Sequence, residues 1–582
     1  MKTSLKKTNI SRQSLAFALL FAASAAFMLW KLPYSLGGSD EAFYLTVPYR
    51  LYLGDRLFFD EWHLSQLASF FTLPFVTLYL DLTGSTEGIM LAARGVYAVL
   101  HALAALVIYL RLKKYGALSV AASIMFMLFT PFDMMCYSYN TIALDTLALA
   151  GVFAGAARRG ARAYYVLAGA FFAAAVVCCP YLVSAYFVYA LAVLAAVCVR
   201  KRGEYDNAVL TWRAFALVTC GAAIMAVLFA LFFFSHCSIK ELVAALPGLF
   251  TDPEHPKYSL WFMIKHDAYC LLTAHRLMLL PLGLYGVSLL ALIADKNRRA
   301  HAHIHLALAA VAALLCFVLF SKELISEYYN AVMLPLALPG FTAYVLLENK
   351  PRELFTALFA LGVYYSACVC ATSNMGFDVL SMAFSVVDIA ACVFLALLLK
   401  ERADMPRNRA RTLRAAAAAP VLCMFVLVVT VKAVHCFWDL PPAQLDHRLD
   451  RGPARGIITS DRLGTDYERV CDDMQSYSSL TPGKLLIYAP HTWCTLDLPE
   501  GYECASFSAW LSGQDELTEQ RLALYYDLNP DKFPDYVYIL KDNAFAQPGL
   551  DGARIYRDAE ENGFTVEEND VSWKLTREKF HH

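Results

Sequence analysis

Long apolar segments separated by short basic loops make up the first three quarters of the chain. Runs of about 17 or more mostly apolar residues, the length that a helix needs to cross a bilayer, recur between Leu15 and Cys436. This pattern predicts an all-α polytopic membrane protein with about 13 transmembrane helices. The expected spans are 14–35, 88–110, 117–136, 140–157, 163–179, 181–199, 214–235, 273–294, 303–320, 330–347, 354–371, 378–399 and 415–436.

Basic clusters mark the loops that stay on the cytoplasmic side of a membrane. They occur at the N-terminus and at Arg111–Lys114, Arg158–Arg162, Arg200–Arg202, Lys296–Arg299, Lys350–Arg352 and Lys400–Arg414. An even number of crossings must separate consecutive clusters, so the short aromatic segment 66–82 cannot span and is expected at the membrane interface. The N-terminus is then cytoplasmic, and residues 36–87 form one long external loop with interfacial helices.

After the last apolar segment the chain becomes hydrophilic. We expect residues 1–439 to form the membrane domain and residues 440–582 a small external domain of their own. The predicted elements of this tail are two short buried strands, Lys484–Tyr488 and Tyr536–Leu540, and two helices, Asp466–Met474 and Leu517–Asp527. The tail is therefore predicted to be an extracytoplasmic α/β domain.

Composition agrees with a membrane protein, because 59% of the residues are hydrophobic and only 17% are charged. An ordinary soluble domain has more charge and less apolar character. The net charge of −1 implies no basic surface for nucleic acid. Most of the 16 cysteines lie in apolar segments, where a thiol behaves as a small hydrophobe. Cys494 and Cys504 in the tail could form a disulfide if the tail is external, and the sequence leaves this open.

Two acidic clusters stand close to the first predicted span. Asp40 and Glu41 follow that span directly, and Asp60-Glu61-Trp62-His63 comes about 20 residues later. Carboxylates at a wet membrane surface can take a proton from an acceptor hydroxyl or bind a metal. An acidic pair at this place can also be a solvated helix cap, but the second cluster and the interfacial segment favour a catalytic role.

Two ionisable residues are predicted inside the membrane near its outer side. Asp145 in the fourth span lies roughly 8 Å below the outer surface, and Arg94 in the second span lies about as deep. An intramembrane charge is costly unless it is paired, so each residue is a functional candidate. The alternative is that Arg94 and Asp145 simply neutralise each other. His101 and Asp388, near mid-membrane, could also pair or line a polar cavity.

Further polar residues predict phosphate or metal binding on the external side. Lys322, with Tyr329 nearby, stands at the outer end of the ninth span, where a lysine and a tyrosine hydroxyl can hold a phosphate. Lysines at helix ends also commonly extend to the membrane surface without a ligand. Glu61 and His63 could supply a divalent metal site, but no HxxxH or HExxH pattern accompanies them.

Several of these motifs together resemble a known superfamily. They are Ser39-Asp-Glu-Ala-Phe-Tyr44 followed by Leu53-Gly-Asp55, Arg94 in the second span, Asp145 in the fourth, and Ser321-Lys322 with Tyr329. Their order resembles the GT-C membrane glycosyltransferases, in particular the branch of protein O-mannosyltransferases and lipid A aminoarabinose transferases. The likeness covers residues 1–436 and is strongest over 30–150. Glu61 departs from the pattern, since Trp62-His63 follows it where the family often has Lys-Pro.

The resemblance implies a glycosyltransferase, transferring a hexose or pentose, in the bacterial plasma membrane. The donor would be a sugar on a polyprenyl phosphate, and the acceptor a hydroxyl of a protein, lipid or wall polymer on the extracytoplasmic face. Asp40 would be the base of an inverting reaction, with Glu41 and Asp145 also catalytic. Arg94, Lys322 and Tyr329 would bind the donor phosphate. The only cofactor expected is a divalent metal ion near Glu61 and His63.

Two other classes of protein fit the same pattern. A polytopic transporter or flippase of a lipid-linked or anionic substrate would also carry intramembrane charges, although the sequence shows no sign of two similar halves. A non-catalytic relative that binds a lipid-linked glycan is the other alternative. The external acidic loop and the large tail favour surface chemistry over transport.

Overall fold

The structure is a computed structural model that describes residues 11–37, 40–156, 161–200, 207–249, 259–273, 276–319, 334–372, 384–508, 516–541, 559 and 563–577. Up to residue 434 its regular elements are helical. These helices are α1 Arg12–Lys31, α2 Asp40–Tyr52, α3 Ser69–Thr83, α4 Ile89–Leu112, α5 Leu118–Leu128, α6 Tyr139–Gly155, α7 Arg162–Cys178, α8 Val183–Arg200, α9 Trp212–His236, α10 Ile239–Leu249, α11 Leu260–Leu272, α12 Leu279–Ala294, α13 Ala302–Leu319, α14 Leu334–Leu346, α15 Arg352–Leu354, α16 Leu361–Thr372, α17 Phe384–Glu401 and α18 Arg407–Val434.

Within the described ranges, eight helical segments are long and apolar enough to cross a membrane. They are Arg12–Lys31, Ile89–Tyr115, Pro180–Val199, Trp212–His236, Arg276–Ala294, Ala302–Leu319, Arg352–Thr372 and Arg407–Val434. The expected fold class, a helical membrane protein with a small C-terminal α/β part, is confirmed. The count of about 13 spans is not confirmed. One reason is length: the 11 residues of α5 extend only about 16 Å, against roughly 30 Å of hydrocarbon.

The centre of the helical part is α17. Every residue from Phe384 to Leu395 is buried, and the helix packs against α5, α14 and α16. A helix that is apolar on all sides is stable only when neighbours surround it. Neighbouring helices therefore enclose α17, and many of the other helices expose large apolar side chains.

Glycine permits one especially close helix crossing, between α7 and α9. A methyl group added at Gly169 would lie 1.9 Å from the carbonyl oxygen of Val218. One added at Gly221 would lie 1.9 Å from the carbonyl oxygen of Val166. Small residues are the usual means by which membrane helices bring their backbones together.

The loop between α1 and α4 holds two helices, α2 and α3, which pack on each other. The segment predicted as interfacial is α3, whose buried residues Ser69, Thr72, Val76 and Leu80 recur every three or four positions. Helix α2 was not predicted separately, and neither were α10 and α11, which lie between α9 and α12. We call the side of the helical part that carries α2 and α3 the loop face. That this face is extracytoplasmic stays a prediction.

The C-terminal part has an α/β fold. Its elements are β1 His447–Arg448, β2 Ile458–Thr459, α19 Asp461–Gln475, β3 Lys484–Tyr488, α20 Trp493–Leu496, β4 Glu503–Cys504, α21 Glu516–Leu528, β5 Tyr536–Leu540, β6 Phe564–Glu568 and β7 Ser572–Arg577. The five larger-sheet strands have the order β4-β3-β5-β7-β6, with β3 parallel to β4 and β5 and the other pairings antiparallel. The two strands expected from the sequence, β3 and β5, have the predicted bounds.

The C-terminal part packs directly on the loop face. The backbone N–H of Ser35 donates to the carbonyl oxygen of Ile458 at 2.8 Å, and the N–H of Ile458 donates to that of Pro33 at 2.6 Å. A shared apolar core joins residues of α2, α3 and the start of α4 to residues of the C-terminal sheet. The helix that carries the acidic pair therefore lies between the membrane helices and the C-terminal sheet.

Candidate active site

The acidic pair predicted from the sequence forms the first turn of α2. Carboxylates are favourable there because the first backbone N–H groups of a helix point at them and the helix dipole is positive. Glu41 is buried, with 2% of its side chain exposed, whereas Asp40 is only half-buried. The two neighbouring acids thus have different surroundings, and Asp40 is the one that solvent or a ligand can reach.

Glu41 forms a bidentate ion pair with Arg94 of α4. Arg94 Nε donates to one carboxylate oxygen at 2.6 Å, and Nη2 donates to the other at 2.5 Å. The remaining guanidinium N–H groups donate to the carbonyl oxygens of Leu32, Tyr34 and Ser35. All five donors of Arg94 are therefore used, and they fix the link between α1 and α2. Arg94 consequently has no spare donor for a phosphate in this conformation.

Asp145 pairs with a histidine and not with Arg94. His101 Nδ1 lies 2.6 Å from Asp145 Oδ1, and His101 Nε2 lies 2.8 Å from the carbonyl oxygen of Phe126. Both ring nitrogens of His101 therefore face acceptors, one on Asp145 and one on the backbone. The suggested neutralisation of Asp145 by Arg94 is therefore wrong. The suggested pairing of His101 with Asp388 is also wrong, because both ring nitrogens of His101 face other acceptors.

Asp40 lies beside an aromatic pair that joins α2 to α6. The ring of Tyr44, one turn beyond Asp40, lies 5.4 Å from that of Tyr139, and Tyr139 opens α6 six positions before Asp145. Burial, the neighbouring Tyr139 and the Asp40 carboxylate together raise the pKa of Tyr44. The Tyr44 hydroxyl is therefore a neutral hydrogen-bonding group at this site. Six helical residues keep Asp145 about 9 Å further along the helix axis than Tyr139.

Glu61 belongs to a second buried network, at the other end of α2. One carboxylate oxygen accepts from the backbone N–H groups of Trp62, His63 and Ser508, at 2.8, 2.9 and 3.2 Å. The other accepts from Arg50 Nη1 and again from the Ser508 N–H, each at 3.1 Å. Glu61 is fully buried and joins the first loop to the C-terminal part.

Arg50 and Lys532 complete this network. Arg50 Nε donates to Asp55 at 2.7 Å, and Lys532 Nζ donates to the other oxygen of Asp55 at 2.7 Å. Burial alone would raise the pKa of Asp55, but the charges of Arg50 and Lys532 outweigh it and hold that pKa below its ordinary value. Two cations and the carboxylates of Asp55 and Glu61 balance, so the network has no net charge.

The donor set at Glu61 and His63 does not fit a metal ion. The Glu61 oxygens already accept five hydrogen bonds, and His63 Nδ1 lies 2.5 Å from the Ser65 hydroxyl. Over the described part of the chain, no group of three or more His, Cys, Asp or Glu side chains is placed to hold a metal. The Glu61 carboxylate is therefore occupied by hydrogen bonds and not available to a metal ion.

The other predicted residues fall into two groups. Lys322 and Tyr329 lie outside the described residues. Cys494 and Cys504 are described, and both are buried free thiols without a disulfide.

Sequence reasoning missed a third cluster, at the loop-face ends of α1 and α18. Lys31 and Lys432 both approach Asp133, which lies in the connection between α5 and α6. A small pocket, part of it open to solvent, lies between this cluster and the Arg94–Glu41 pair. A single lysine in the last turn of each of two apolar helices was the available signal, because such a charge needs a partner or an interface.

A second small pocket lies between α2 and the carboxyl ends of β3 and β4. It is lined by Thr46 and Arg50 of α2 and by residues such as His491, Thr492 and Ser506 that follow the two strands. The carboxyl ends of parallel strands are where α/β sheets commonly bind ligands. Here that edge faces the helix that carries Asp40.

Three solved structures of the Archaeoglobus fulgidus oligosaccharyltransferase are similar to this chain in fold. The apo form has a TM-score of 0.47 and 12% identity, covering 97% of this chain and 75% of that chain. The form tethered by a disulfide bond to an acceptor peptide containing the NVT sequon has a TM-score of 0.40 and 11% identity, covering 97% and 74%. The complex of AglB with an inhibitory peptide and a dolichol-phosphate has a TM-score of 0.38 and 11% identity, covering 97% and 75%.

No protein-family model matches the sequence, and no curated protein matches it.

Proposed function

We propose that this chain is an integral-membrane glycosyltransferase of the GT-C type. In this proposal it moves a sugar from a polyprenyl-phosphate donor to an acceptor hydroxyl at the loop face. The reaction inverts the anomeric carbon, and Asp40 is the general base. The loop face is the extracytoplasmic face of the membrane in this proposal, and the acceptor hydroxyl belongs to a protein, a lipid or a wall polymer.

The observation that carries this proposal is that contacts with neighbouring elements fix α2 at its start, middle and end. Its first turn is fixed by the Glu41–Arg94 ion pair, its middle by the Thr46 hydroxyl donating to the carbonyl oxygen of Thr492 at 3.2 Å, and its end by Arg50. A general base must be held within reach of the proton that it removes. Asp40 is half-buried on a helix that is fixed along its whole length, which supports a positioned base better than a solvated cap.

The chemistry requires few groups. Asp40 takes the proton of the acceptor hydroxyl while the hydroxyl oxygen attacks the anomeric carbon from the face opposite the phosphate. The bond from that carbon to the phosphate oxygen breaks, and its electron pair leaves with the lipid phosphate. Arg94 and Lys322 supply positive charge, and Tyr329 a hydrogen bond, where negative charge grows on the leaving group. Arg94 acts through its field, since its donors are occupied. Asp145, which is hydrogen-bonded to His101, lies on α6 six residues beyond Tyr139.

The first experiment compares lipid-linked sugars and surface glycans in cells with and without the protein. We expect one polyprenyl-phosphate sugar to accumulate and one glycan to disappear without it. Asp40→Asn should fail to restore the glycan, because a general base contributes about 10²–10⁴-fold to a rate. Asp81→Asn is the matched control, as this carboxylate is exposed at the end of α3 in the same loop. Full restoration by Asp40→Asn, with normal expression, would exclude Asp40 as the base.

A carrier of a lipid-linked or anionic substrate is the second candidate, and Asp388 favours it. This residue of α17 is 2% exposed, and neither carboxylate oxygen has a hydrogen-bond partner among the described residues. An intramembrane acid of this kind often belongs to a proton or ion pathway. The variant Asp388→Asn distinguishes the two candidates. If the protein is a carrier, the variant should no longer transport its substrate across the membrane of proteoliposomes. Sugar transfer on one membrane side should persist if it is the proposed transferase.

A further inference from the structure

The cluster around Asp133 contains more positive than negative charge. Lys432 Nζ donates to an Asp133 oxygen and to the Thr130 hydroxyl, the latter at 2.9 Å. Lys31 Nζ lies 3.6 Å from the other Asp133 oxygen, donates to the backbone carbonyl of His435 and lies 3.3 Å from Cys436 Sγ. Only 3%, 2% and 0% of the side chains of Lys31, Lys432 and Asp133 are exposed. In the part of the chain that the structure describes, two buried lysines thus share one carboxylate.

Of the described residues that line the pocket, Asp133 and Glu41 are the carboxylates. Lys31 and Asp133 line one wall, and the Glu41–Arg94 pair, neutral in itself, lines the opposite wall. The pocket walls and Lys432 together have three cations and two carboxylates. A buried charge without a counterion is costly, so a small anion in this pocket would be strongly favoured.

The backbone at Asp133 adopts an energetically unfavourable conformation. Phe132 and Asp133 have φ values of 58° and 54°, and this left-handed region is unfavourable for residues other than glycine. Two consecutive residues of this kind persist only where surrounding contacts over-determine them, and such strain concentrates at binding sites. The Lys432 contact and the Thr130 hydroxyl, which also meets the Tyr97 hydroxyl at 2.8 Å, supply those contacts.

Exposed tryptophans flank the pocket on two sides. Trp30 precedes Lys31 and is 44% exposed, and Trp438 follows the pocket residue Phe437 and is 57% exposed. Exposed tryptophans of membrane proteins concentrate at the boundary between hydrocarbon and headgroups. We therefore expect the pocket at headgroup depth, where the phosphate of a lipid is the available anion.

We propose that the pocket between Lys31, Asp133 and the Arg94–Glu41 pair binds the phosphate group of a polyprenyl phosphate, with Lys31 as its direct ligand. Lys432 holds Asp133 and supplies the second positive charge. The polyprenyl identity of the lipid rests on the function proposed above, whereas the phosphate site rests on the charge and depth of the pocket. A lysine suits this role because its ammonium group acts as a point charge toward phosphate oxygens.

Binding to the purified full-length protein in lipid nanodiscs tests the site without sugar transfer. The probes are a long-chain polyprenyl monophosphate, the matching polyprenol, phosphatidylglycerol and inorganic phosphate. We expect the monophosphate to bind at least tenfold more tightly than the other three, and Lys31→Met to abolish this preference. Lys240→Met is the matched control, because this lysine is exposed in α10 beside the same loop face. Equal binding of monophosphate and polyprenol, or an unchanged preference in Lys31→Met, would overturn the site.

Asp133→Asn gives an independent result of opposite sign. Removing this carboxylate raises the excess positive charge by one, so the monophosphate should bind at least as tightly as to the wild type. If the two lysines served only to neutralise Asp133, this variant would unfold more easily than the wild type. It would also not bind the monophosphate more tightly than the other probes. Asp133→Asn also tests the phosphate site if Lys31→Met fails to fold. Inorganic phosphate or phosphatidylglycerol binding as tightly as the monophosphate would assign the site to another phosphate and exclude the polyprenyl one.

The transfer assay separates this site from the proposed function. A wild-type protein that binds the monophosphate but moves no sugar would keep the site and refute the transferase. Sugar transfer that persists in Lys31→Met together with unchanged binding would keep the transferase and refute the site.

Discussion

Arg94 of α4 and Glu41 of α2 form a buried bidentate ion pair, with N–O distances of 2.6 and 2.5 Å. The two residues are 53 positions apart in the chain, and the pair holds the first turn of α2 against the membrane helices. The pair therefore also holds the neighbouring Asp40 in position.

Removing Arg94 should destabilise the protein strongly. Arg94→Gln leaves Glu41 buried without a partner charge, and breaking a buried pair in this way costs about 3–5 kcal/mol. Thermal unfolding of the detergent-solubilised protein should show the loss. The double variant with Glu41→Gln should recover part of it, because no buried charge then remains. Arg213→Gln, on the exposed first turn of α9, should unfold like the wild type. Equal stability of Arg94→Gln and wild type would contradict the pairing.

Glu61 should act as a structural anchor that needs no metal. Glu61→Gln weakens the charged hydrogen bonds to Arg50 and Ser508, at about 1–3 kcal/mol, and should expose the C-terminal part to limited proteolysis. Glu503→Gln is the control, since this carboxylate is 56% exposed and lies 3.5 Å from Lys532. A chelator such as EDTA should leave the unfolding temperature of the wild type unchanged. A chelator-induced drop comparable to that of Glu61→Gln would instead indicate a bound metal.

Asp497 should make the stability of the C-terminal part depend on pH. Burial raises the pKa of this carboxyl to about 7, although Cys471 and Gln475 oppose the rise through hydrogen bonds. The folded state therefore binds the proton more tightly than the unfolded state. The stabilisation is fully present below about pH 4 and is lost as the pH rises toward about 7. The shift from 3.8 to about 7 limits the effect to about 4 kcal/mol.

Asp497→Asn checks this expectation, because the amide cannot ionise. The variant should be more stable than the wild type at pH 8, and its unfolding temperature should vary less between pH 4 and pH 7. Asp570→Asn, at an exposed turn, should keep the wild-type pH profile. If Asp497→Asn retains that profile as well, the titration belongs to another group.

The crossing of α7 and α9 should not tolerate a side chain. Gly169→Ala places a methyl group 1.9 Å from the Val218 carbonyl oxygen, so the two backbones must separate. Overpacking of this kind typically costs about 1–3 kcal/mol, and here the contact is with rigid backbone. Gly283→Ala on α12 meets nothing within 4 Å and should be neutral. Size-exclusion profiles and unfolding temperatures of the two variants should differ clearly, and equal values would refute the close approach.

The sequence predicted those features that local pattern determines. Each expected span contains a helix, since an apolar run of sufficient length has few other solutions in lipid. The strands at Lys484–Tyr488 and Tyr536–Leu540 were found with the correct bounds because short apolar runs between polar turns are typical of buried strands. Spans of uncertain length, such as α5, were counted by composition alone, and the count of about 13 is not confirmed.

The sequence could not give the partners of the charged residues. Depth along a helix placed Arg94 and Asp145 at similar levels, but depth says nothing about which side of the helix each residue faces. Arg94 turned toward Glu41 and Asp145 toward His101. Likewise, the role of Glu61 depends on Ser508, 447 residues later, and no local pattern links them.

The long separation between Glu61 and Ser508 also sets an order of assembly. The first loop is synthesised early, yet the backbone N–H that completes its acidic anchor leaves the ribosome only after every membrane helix has been made. Until then the nascent loop must keep Arg50, Asp55 and Glu61 hydrated. Maturation of this protein is therefore a late event, and a chain truncated before the tail would insert into the membrane without acquiring a finished loop face.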